Sequence, residues 1–277
     1  ELASKHVKVV LGGQGGDELY GGYARYLITY LEELLNGVID EKENYNNSKE
    51  NLISLIPNLS SLSQYKPLMR KFWSNGLFSS TNKRYFEIIS RISKTDDAYK
   101  KDFMFSFNYE KQFLRFDEIF SQDNEMHSLN KMCSFDLVTL LPALLHVEDR
   151  VSMAWGIESR VPLLDHRIAE LLSKVPPLMK FQGSQSKPIL KEISSNLLPK
   201  SILNRKDKMG FPVPLAKWLK KGIVKDFVAD TLLSSASLQR GIFKKEYLYN
   251  LINNGSGPGT RDLWGALSLE IWFNQIV

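Results

Sequence analysis

Residues 7–23 read VKVVLGGQGGDELYGGY. Val7, Val9, Val10 and Leu11 form a short, β-branched apolar run ended by glycines, the pattern of a buried strand. Gly12, Gly13, Gly15 and Gly16 let the backbone turn sharply and come close to a ligand. Asp17 and Glu18 then open a helical pattern. The stretch predicts a strand, a glycine turn and a helix start that carries carboxylates. Free N–H groups at a helix start suit phosphate oxygens, and a carboxylate there suits a Mg2+ ion that bridges phosphates. The plain alternative is a strand-to-helix turn with Asp17 as its N-cap. No Gly-Lys-Ser or Gly-Lys-Thr follows, so this is not a P-loop. Nor is it G-x-G-x-x-G, because Glu18 stands where the last glycine belongs.

A chain of 277 residues with 43% hydrophobic content suits one large domain or two small ones. The net charge of +5 fits an enzyme for phosphate-bearing substrates and equally an ordinary soluble protein. A single cysteine, Cys133, excludes an internal disulfide and a thiolate metal cluster, and a reducing cytoplasm is the expected setting. No apolar run reaches the roughly 18 residues of a membrane span, and no signal-peptide pattern opens the chain. A parallel strand needs neighbours, yet few other strands are legible. The fold is therefore expected to be predominantly α-helical, with further sheet strands upstream of Glu1.

Helical spacing runs from Glu18 to Asn36, with Gly37 as the expected stop. Residues 41–50 read as an exposed polar loop or frayed helix. Arg84–Ile92 and Ala98–Phe107 read as amphipathic helices. Met104, Phe105, Phe107 and Tyr109 form an aromatic patch expected in the core or at a docking face. Met126–Trp155 is the longest helical stretch, with Pro142 expected to kink or divide it. Asp165–Lys174, Ser186–Leu198, Ile223–Leu233, Lys245–Asn253 and Arg261–Ile276 follow, the last with Trp264, Leu267 and Ile271 on one face.

Residues 146–166, HVEDRVSMAWGIESRVPLLDH, set Glu148, Asp149, Arg150, Glu158, Arg160 and Asp165 among apolar neighbours. Charges in such a setting are paired or used: they form internal salt bridges, or a polar wall that grips a charged amino-acid substrate. His146 and His166 lack ligand-like spacing and read as structural. Residues 187–214, KPILKEISSNLLPKSILNRKDKMGFPVP, place Lys208 just before Met209, Gly210 and Phe211. An ammonium there can be aimed at phosphorus, where it would offset charge developing during substitution; the alternative is a solvated basic loop. Nucleic-acid binding is not supported, since the basic residues lack interleaved aromatics.

Together GGQGGDELYGGY (12–23), LLPALLHVEDRVSMAWGIESRVPLLDH (140–166), SKPILKEISSNLLPKSILNRKDKMGFPVPLAKW (186–218) and DLWGALSLEIWF (262–273) resemble the synthetase domain of the glutamine-dependent asparagine synthetase family. Residues of about 40 to 125 carry little of the likeness. The resemblance implies that residues 1–277 are the C-terminal portion of an α/β, adenine-nucleotide α-hydrolase-like (ATP-pyrophosphatase) domain. The pyrophosphate-holding loop and a glutaminase domain would lie upstream of Glu1. It implies a cytoplasmic ligase, compatible with a homodimer, that needs neither nucleic acid nor membrane. The aspartate side chain attacks the α-phosphate of ATP, pyrophosphate leaves with Mg2+, and glutamine-derived ammonia displaces AMP to give asparagine.

Carried over residue by residue, Asp17 matches the aspartate that binds Mg2+ and pyrophosphate, within a nucleotide turn that includes Gly13, Gly15 and Gly16. Gln14 faces the second substrate; Asp149 and Arg150 are not part of that carry-over and are candidates only as members of the polar wall read from the charged segment itself. Glu158 matches a pocket carboxylate, and Lys208 the lysine on the α-phosphate. Gly12 stands where the family usually has serine, Asp207 blunts the field of Lys206 and Lys208, and the lack of tyrosine at position 14 argues against β-lactam ring closure. Two rivals remain: amidation of a carboxylate on a sugar or peptide, and a non-catalytic helical binding module.

Overall fold

The computed structural model describes residues 1–40, 48–55, 63, 65–74, 76–90, 97–122, 127–182, 185–205, 214–219, 222–254 and 259–276. The chain divides into two units, Glu1–Arg91 with Phe113–Arg205, and Ile92–Gln112 with Lys206–Val277. Helices dominate both. Among the described residues none is long and apolar enough to cross a membrane.

In the first unit β1 (Val9–Leu11) pairs in parallel with β2 (Glu158–Arg160), Val10 opposite Ser159. A second pair, Phe181–Gln182 with Gln185–Ser186, is antiparallel. The expectation of a buried first strand is corrected: Val9 is 37% and Leu11 74% exposed, and only Val10 is half-buried. The reason is that β1 has one described neighbour, and a parallel strand is covered only when helices or strands flank it on all sides. The glycine turn leads into α1 (Gly16–Tyr20), and a break at Gly21 and Gly22 separates it from α2 (Ala24–Ile39). The single helix read from residue 18 to 36 is thus two helices. Gly37 does not stop the second but is buried within it. A glycine weakens a helix interior without ending it, and tertiary packing decides.

The α2 helix is the core of this unit. Tyr26, Tyr30 and Leu34, one turn apart, are fully buried, and Tyr30 stacks on Phe181 at 4.8 Å. All of the residues between them except the half-buried Glu33 are buried too, so α2 is covered nearly all round rather than amphipathic. Its polar groups are answered by partners. Asp136, 2% exposed, accepts from Tyr85 Oη at 2.8 Å, from Arg25 Nη2 at 2.5 Å and from Tyr26 Oη. Glu32 accepts from Trp73 Nε1 at 2.6 Å, from Phe78 N at 2.9 Å and from Arg84 Nη1 at 2.5 Å. Around Tyr85 pack Phe116, Phe120 and Phe135, from the helices Tyr109–Phe120 and Ser128–Val138.

The long stretch read from residue 126 to 155 divides at Thr139 into Ser128–Val138 and Leu140–Met153. Pro142 causes it: its ring excludes the carbonyl four residues back, that of Val138, and it has no N–H to offer. The predicted Asp165–Lys174 helix forms as His166–Ser173, with the Asp165 side chain accepting from Arg167 N at 2.9 Å as its cap. Ser186–Leu198 shortens to Pro188–Ile193, and the basic loop begins with a short helix, Lys200–Leu203. The polar stretch 41–50 lies outside the described residues up to 47, and Ser48–Leu55 is helical.

The second unit closes on a core of Leu219, Val228, Leu232, Leu248, Leu251, Ile252, Leu263, Ala266 and Leu267. The helices that supply most of it are Ile223–Leu232, Lys245–Asn254 and Gly259–Ile276. The face expected for the last helix rotates: Leu263 and Ala266 are buried with Leu267, while Trp264 is 54% exposed. Glu270 is buried there and accepts two bonds from Arg240, at 3.0 and 2.9 Å. Of the aromatic patch expected in the core or at a docking face, the core reading does not hold at Phe105. Phe105 is 96% exposed, whereas Phe103 stacks on Tyr99 at 5.3 Å. The helix here is only Lys101–Ser106, too short to bury more than one side.

A pH dependence follows from Glu33 and His127, which lie 3.2 Å apart. Burial pushes Glu33 up to about 8, opposed by a hydrogen bond from Ser128 and aided by the charge of Glu32. Burial, with the charge of Lys180, lowers His127 to about 4. Glu33 keeps its proton in the folded state after the unfolded chain has lost it, so its contribution falls as pH rises towards 8. His127 is the reverse case, and its contribution is lost as pH falls from 6.5 towards 4. Of these two groups Glu33 is the one that acts between pH 6.5 and 8, and its contribution to unfolding free energy in urea titrations falls by about 1–2 kcal/mol. Glu33→Gln flattens that slope.

Candidate functional site

The site starts from the glycine turn. Gly15 caps α1 at φ +86°, and a Cβ there would meet Leu164 Cδ2 at 2.1 Å, so neither conformation nor space admits another residue. Gly21 ends α1 at φ +77°, and Gly22 N donates to the Asp17 carbonyl at 2.8 Å, the bonding of a helix closed by a left-handed glycine. A Cβ on Gly22 would fall 1.8 Å from Asp17 Oδ1 and 2.4 Å from Lys187 Cε. The paired glycines at 21 and 22 therefore serve two needs, a left-handed stop and room for an ion pair.

That pair is Asp17 Oδ1 with Lys187 Nζ at 2.6 Å, each side chain about a quarter exposed, at 25% and 27%. Asp17 is not the N-cap of α1 but its second residue, and the cap makes no side-chain bond. Its neighbour Glu18 turns the other way, 2% exposed, and accepts from Tyr23 Oη at 2.6 Å. Burial, and then that bond, push the Tyr23 hydroxyl above its ordinary range. One carboxylate of the motif thus faces the turn and the other locks the interior. Because α1 has only five residues, its dipole is small, and positive charge at the turn comes from side chains instead.

Lys187 is the residue that sequence reasoning missed. It sits at φ 57°, ψ 44°, left-handed although not glycine, just before Pro188 at the start of the Pro188–Ile193 helix. Proline's ring disfavours the right-handed helical region for the preceding residue, and the bond to Asp17 compensates for the strain. The Ser-Lys-Pro spelling carried a signal, a proline opening a helix, but nothing in it named the partner. One turn on, Lys191 is half-buried, and burial together with the charge of Lys187 lowers its pKa.

Gln14 and Gly12 lie on the same turn. The point where a Gly12 Cβ would sit is 2.3 Å from Gln14 Oε1 and 2.8 Å from Glu148 Oε1. Glu148 comes from the Leu140–Met153 helix and accepts from Ser159 Oγ of β2. Gln14 Oε1 and Glu148 Oε2 are buried without a hydrogen-bond partner among the described residues.

The remaining predicted residues are placed as follows. Gly13 is exposed, with nothing among the described residues within 4 Å of its Cβ position, and Gly16 is buried as the first residue of α1. Asp149 and Arg150 lie exposed on the Leu140–Met153 helix, 3.6 Å apart. Glu158 is exposed on β2 and accepts from Arg160 Nε at 2.8 Å. That bond and the guanidinium charge hold its carboxyl below the usual range. The charged segment pairs locally along the chain rather than across a buried core. His146 and His166 are surface residues. Lys208, Asp207 and Lys206 lie outside the described residues.

Among the described residues no group of three or more His, Cys, Asp or Glu could hold a metal on its own. That composition still fits Mg2+, which is held by one or two carboxylates with phosphate oxygens and water as its other ligands. Asp17, beside the Lys187 ammonium, is such a carboxylate.

A family model described as asparagine synthase matches residues 1–274. Asparagine synthetase [glutamine-hydrolyzing] 1 of Bacillus subtilis is 26% identical over 279 aligned residues, covering 98% of this chain and 41% of that protein. The asparagine synthetase [glutamine-hydrolyzing] of Rattus norvegicus is 36% identical over 141 residues, covering 46% of this chain and 25% of that protein. The chain spans about two fifths of the length of the curated relatives that match it nearly end to end. No solved structure matches.

Gly22→Ala tests the turn. The added methyl must displace Asp17 or Lys187, and chemical denaturation should show a loss of about 1–3 kcal/mol. Gly13→Ala, whose methyl meets nothing within 4 Å, changes stability far less.

Proposed function

The chain belongs to the asparagine synthase family, and on that footing we propose that it supplies part of the ATP-using site of an amide-forming ligase. In this reading the aspartate side-chain carboxylate is adenylated with release of pyrophosphate, and glutamine-derived ammonia then forms asparagine. The observation that carries it is Asp17 held 2.6 Å from Lys187 at the glycine turn. A carboxylate and an ammonium side by side are the groups that a metal-bound polyphosphate calls for.

The residues divide the work by charge. Asp17 would hold Mg2+, which when bound neutralises charge on departing pyrophosphate. Lys187 and Lys191 offset the charge of phosphate oxygens, Lys187 exchanging Asp17 for the nucleotide. The exposed backbone of Gly13, with Gly15 and Gly16 shaping the turn behind it, leaves room for phosphate to approach closely. Lys208 is assigned to the α-phosphate, where an ammonium stabilises charge that builds in the transition state. Asp149, Arg150 and Glu158 are polar groups for a zwitterionic acceptor. Glu158, held ionised by Arg160, serves as an ionic contact for the substrate ammonium better than as a proton acceptor.

The intact protein should catalyse aspartate-dependent exchange of pyrophosphate into ATP. Asp17→Asn should slow that exchange by roughly 100-fold and Lys208→Ala by at least as much, with circular dichroism unchanged. Normal exchange in both variants overturns the assignment. Exchange that responds to a sugar or peptide carboxylate instead of aspartate moves the acceptor while keeping the chemistry.

A further inference from the structure

Glu18 is 2% exposed, and its carboxylate accepts from Tyr23 Oη at 2.6 Å. The two residues stand on either side of the break at Gly21 and Gly22, Glu18 inside α1 and Tyr23 at the N-cap of α2. Their bond therefore bridges the gap in the backbone between the two helices. From Tyr23 the connection runs on into the core. The Arg25 guanidinium lies over the Tyr23 ring, 4.0 Å from its centroid. Arg25 is held in turn by Asp136 at 2.5 Å and by Tyr85 Oη at 3.0 Å.

The α1 helix has five residues. Leu19 and Tyr20 pack it against Leu172, but apolar contact has no direction and leaves so short a helix able to roll about its axis. A side chain reaches about 5–6 Å from a helix axis, so a roll of about 10° carries a carboxylate about 1 Å. A hydrogen bond from Glu18 to a fixed point stops that roll, and Asp17 is the adjacent residue. The Tyr23 hydroxyl feels the charges of both Glu18 and Asp17, which sets it close to the two carboxylates.

We propose that Tyr23 is a positioning residue for the metal-holding carboxylate: its bond to Glu18 sets the roll of α1, and with it the place of Asp17. Arg25 and Asp136 are the anchor. Tyr23 touches neither metal nor nucleotide in this scheme and acts through Glu18. Mg2+ demands a near-ideal octahedron, whereas Ca2+ accepts irregular ones, so a wandering Asp17 harms Mg2+ binding more than Ca2+ binding. The proposal rests on the reading of Asp17 as a holder of Mg2+, and it adds a residue to which the family resemblance gave no role.

The test is calorimetry on the intact protein with the Mg2+ and Ca2+ complexes of an α,β-methylene analogue of ATP, which is not cleaved between those phosphates. Tyr23→Phe should weaken the Mg2+ complex about ten-fold and the Ca2+ complex by no more than about threefold. It also leaves Glu18 buried without that donor, so the Tm falls as well. Tyr23→Phe combined with Glu18→Met replaces the pair by apolar groups and should bring the Tm back towards the parent. The Mg2+ complex should stay about ten-fold weak in the double variant, because packing returns without direction. If Tyr23→Phe alone does not fold, the double variant carries the same comparison. Unchanged Mg2+ affinity, equal losses for the two metals, or recovery of Mg2+ affinity together with the Tm overturns the proposal. Asp17→Asn separates it from the reading beneath. Unchanged Mg2+ affinity in Asp17→Asn removes both, while a loss there beside parental affinity in the double variant removes the Tyr23 role alone.

Discussion

Asp136 anchors the first unit. A carboxylate taken out of water is tolerated only when donors surround it, and here Arg25, Tyr26 and Tyr85 all point at it. Two of the three donors sit at the start of α2, so satisfying Asp136 pins that helix against the Ser128–Val138 helix. Glu32 does the same further along with Trp73, Phe78 and Arg84. The turn and α1 are joined to α2 through Gly21, Gly22 and Tyr23, and the position of Asp17 is inherited from that anchorage. The polar core therefore acts on the site by removing freedom from the backbone beneath it.

Periodicity and glycine spacing made the strand, the turn and most helices legible, because those depend on local chemistry. Pro142 announced a break and delivered one, displaced to Thr139 because proline acts on the residue four positions earlier. Burial was less legible. Val9 and Leu11 spell a buried strand but face outward where described neighbours are few. Trp264 and Phe105 look like core and are not, since hydrophobic character says which residues can be buried and not which are.

At the site, the sequence identified the glycines, Asp17 and Gln14 as one group, and the structure keeps them on one turn. It could not identify Lys187, which is distant in sequence and meets Asp17 from a left-handed backbone conformation that nothing in the local spelling announces. Nor could it separate Glu148 from Asp149. Both are acidic and adjacent on one helix, and the rotation of about 100° per residue sends one towards β2 and the other into solvent. The turn consequently has a cation-rich side at Lys187 and an acceptor-rich side at Gln14, only three residues from Asp17.

The short ladder between Val9–Leu11 and Glu158–Arg160 carries one more implication. Side chains alternate along a strand, so Ser159 turns inward to Glu148 while Glu158 and Arg160 turn out. Adding or deleting one residue anywhere between Met153 and Pro162 would reverse that alternation and swap a hydroxyl for a full charge against a carboxylate. Length variation among descendants of this chain should therefore accumulate elsewhere, and this segment should keep a fixed residue count even where its letters drift.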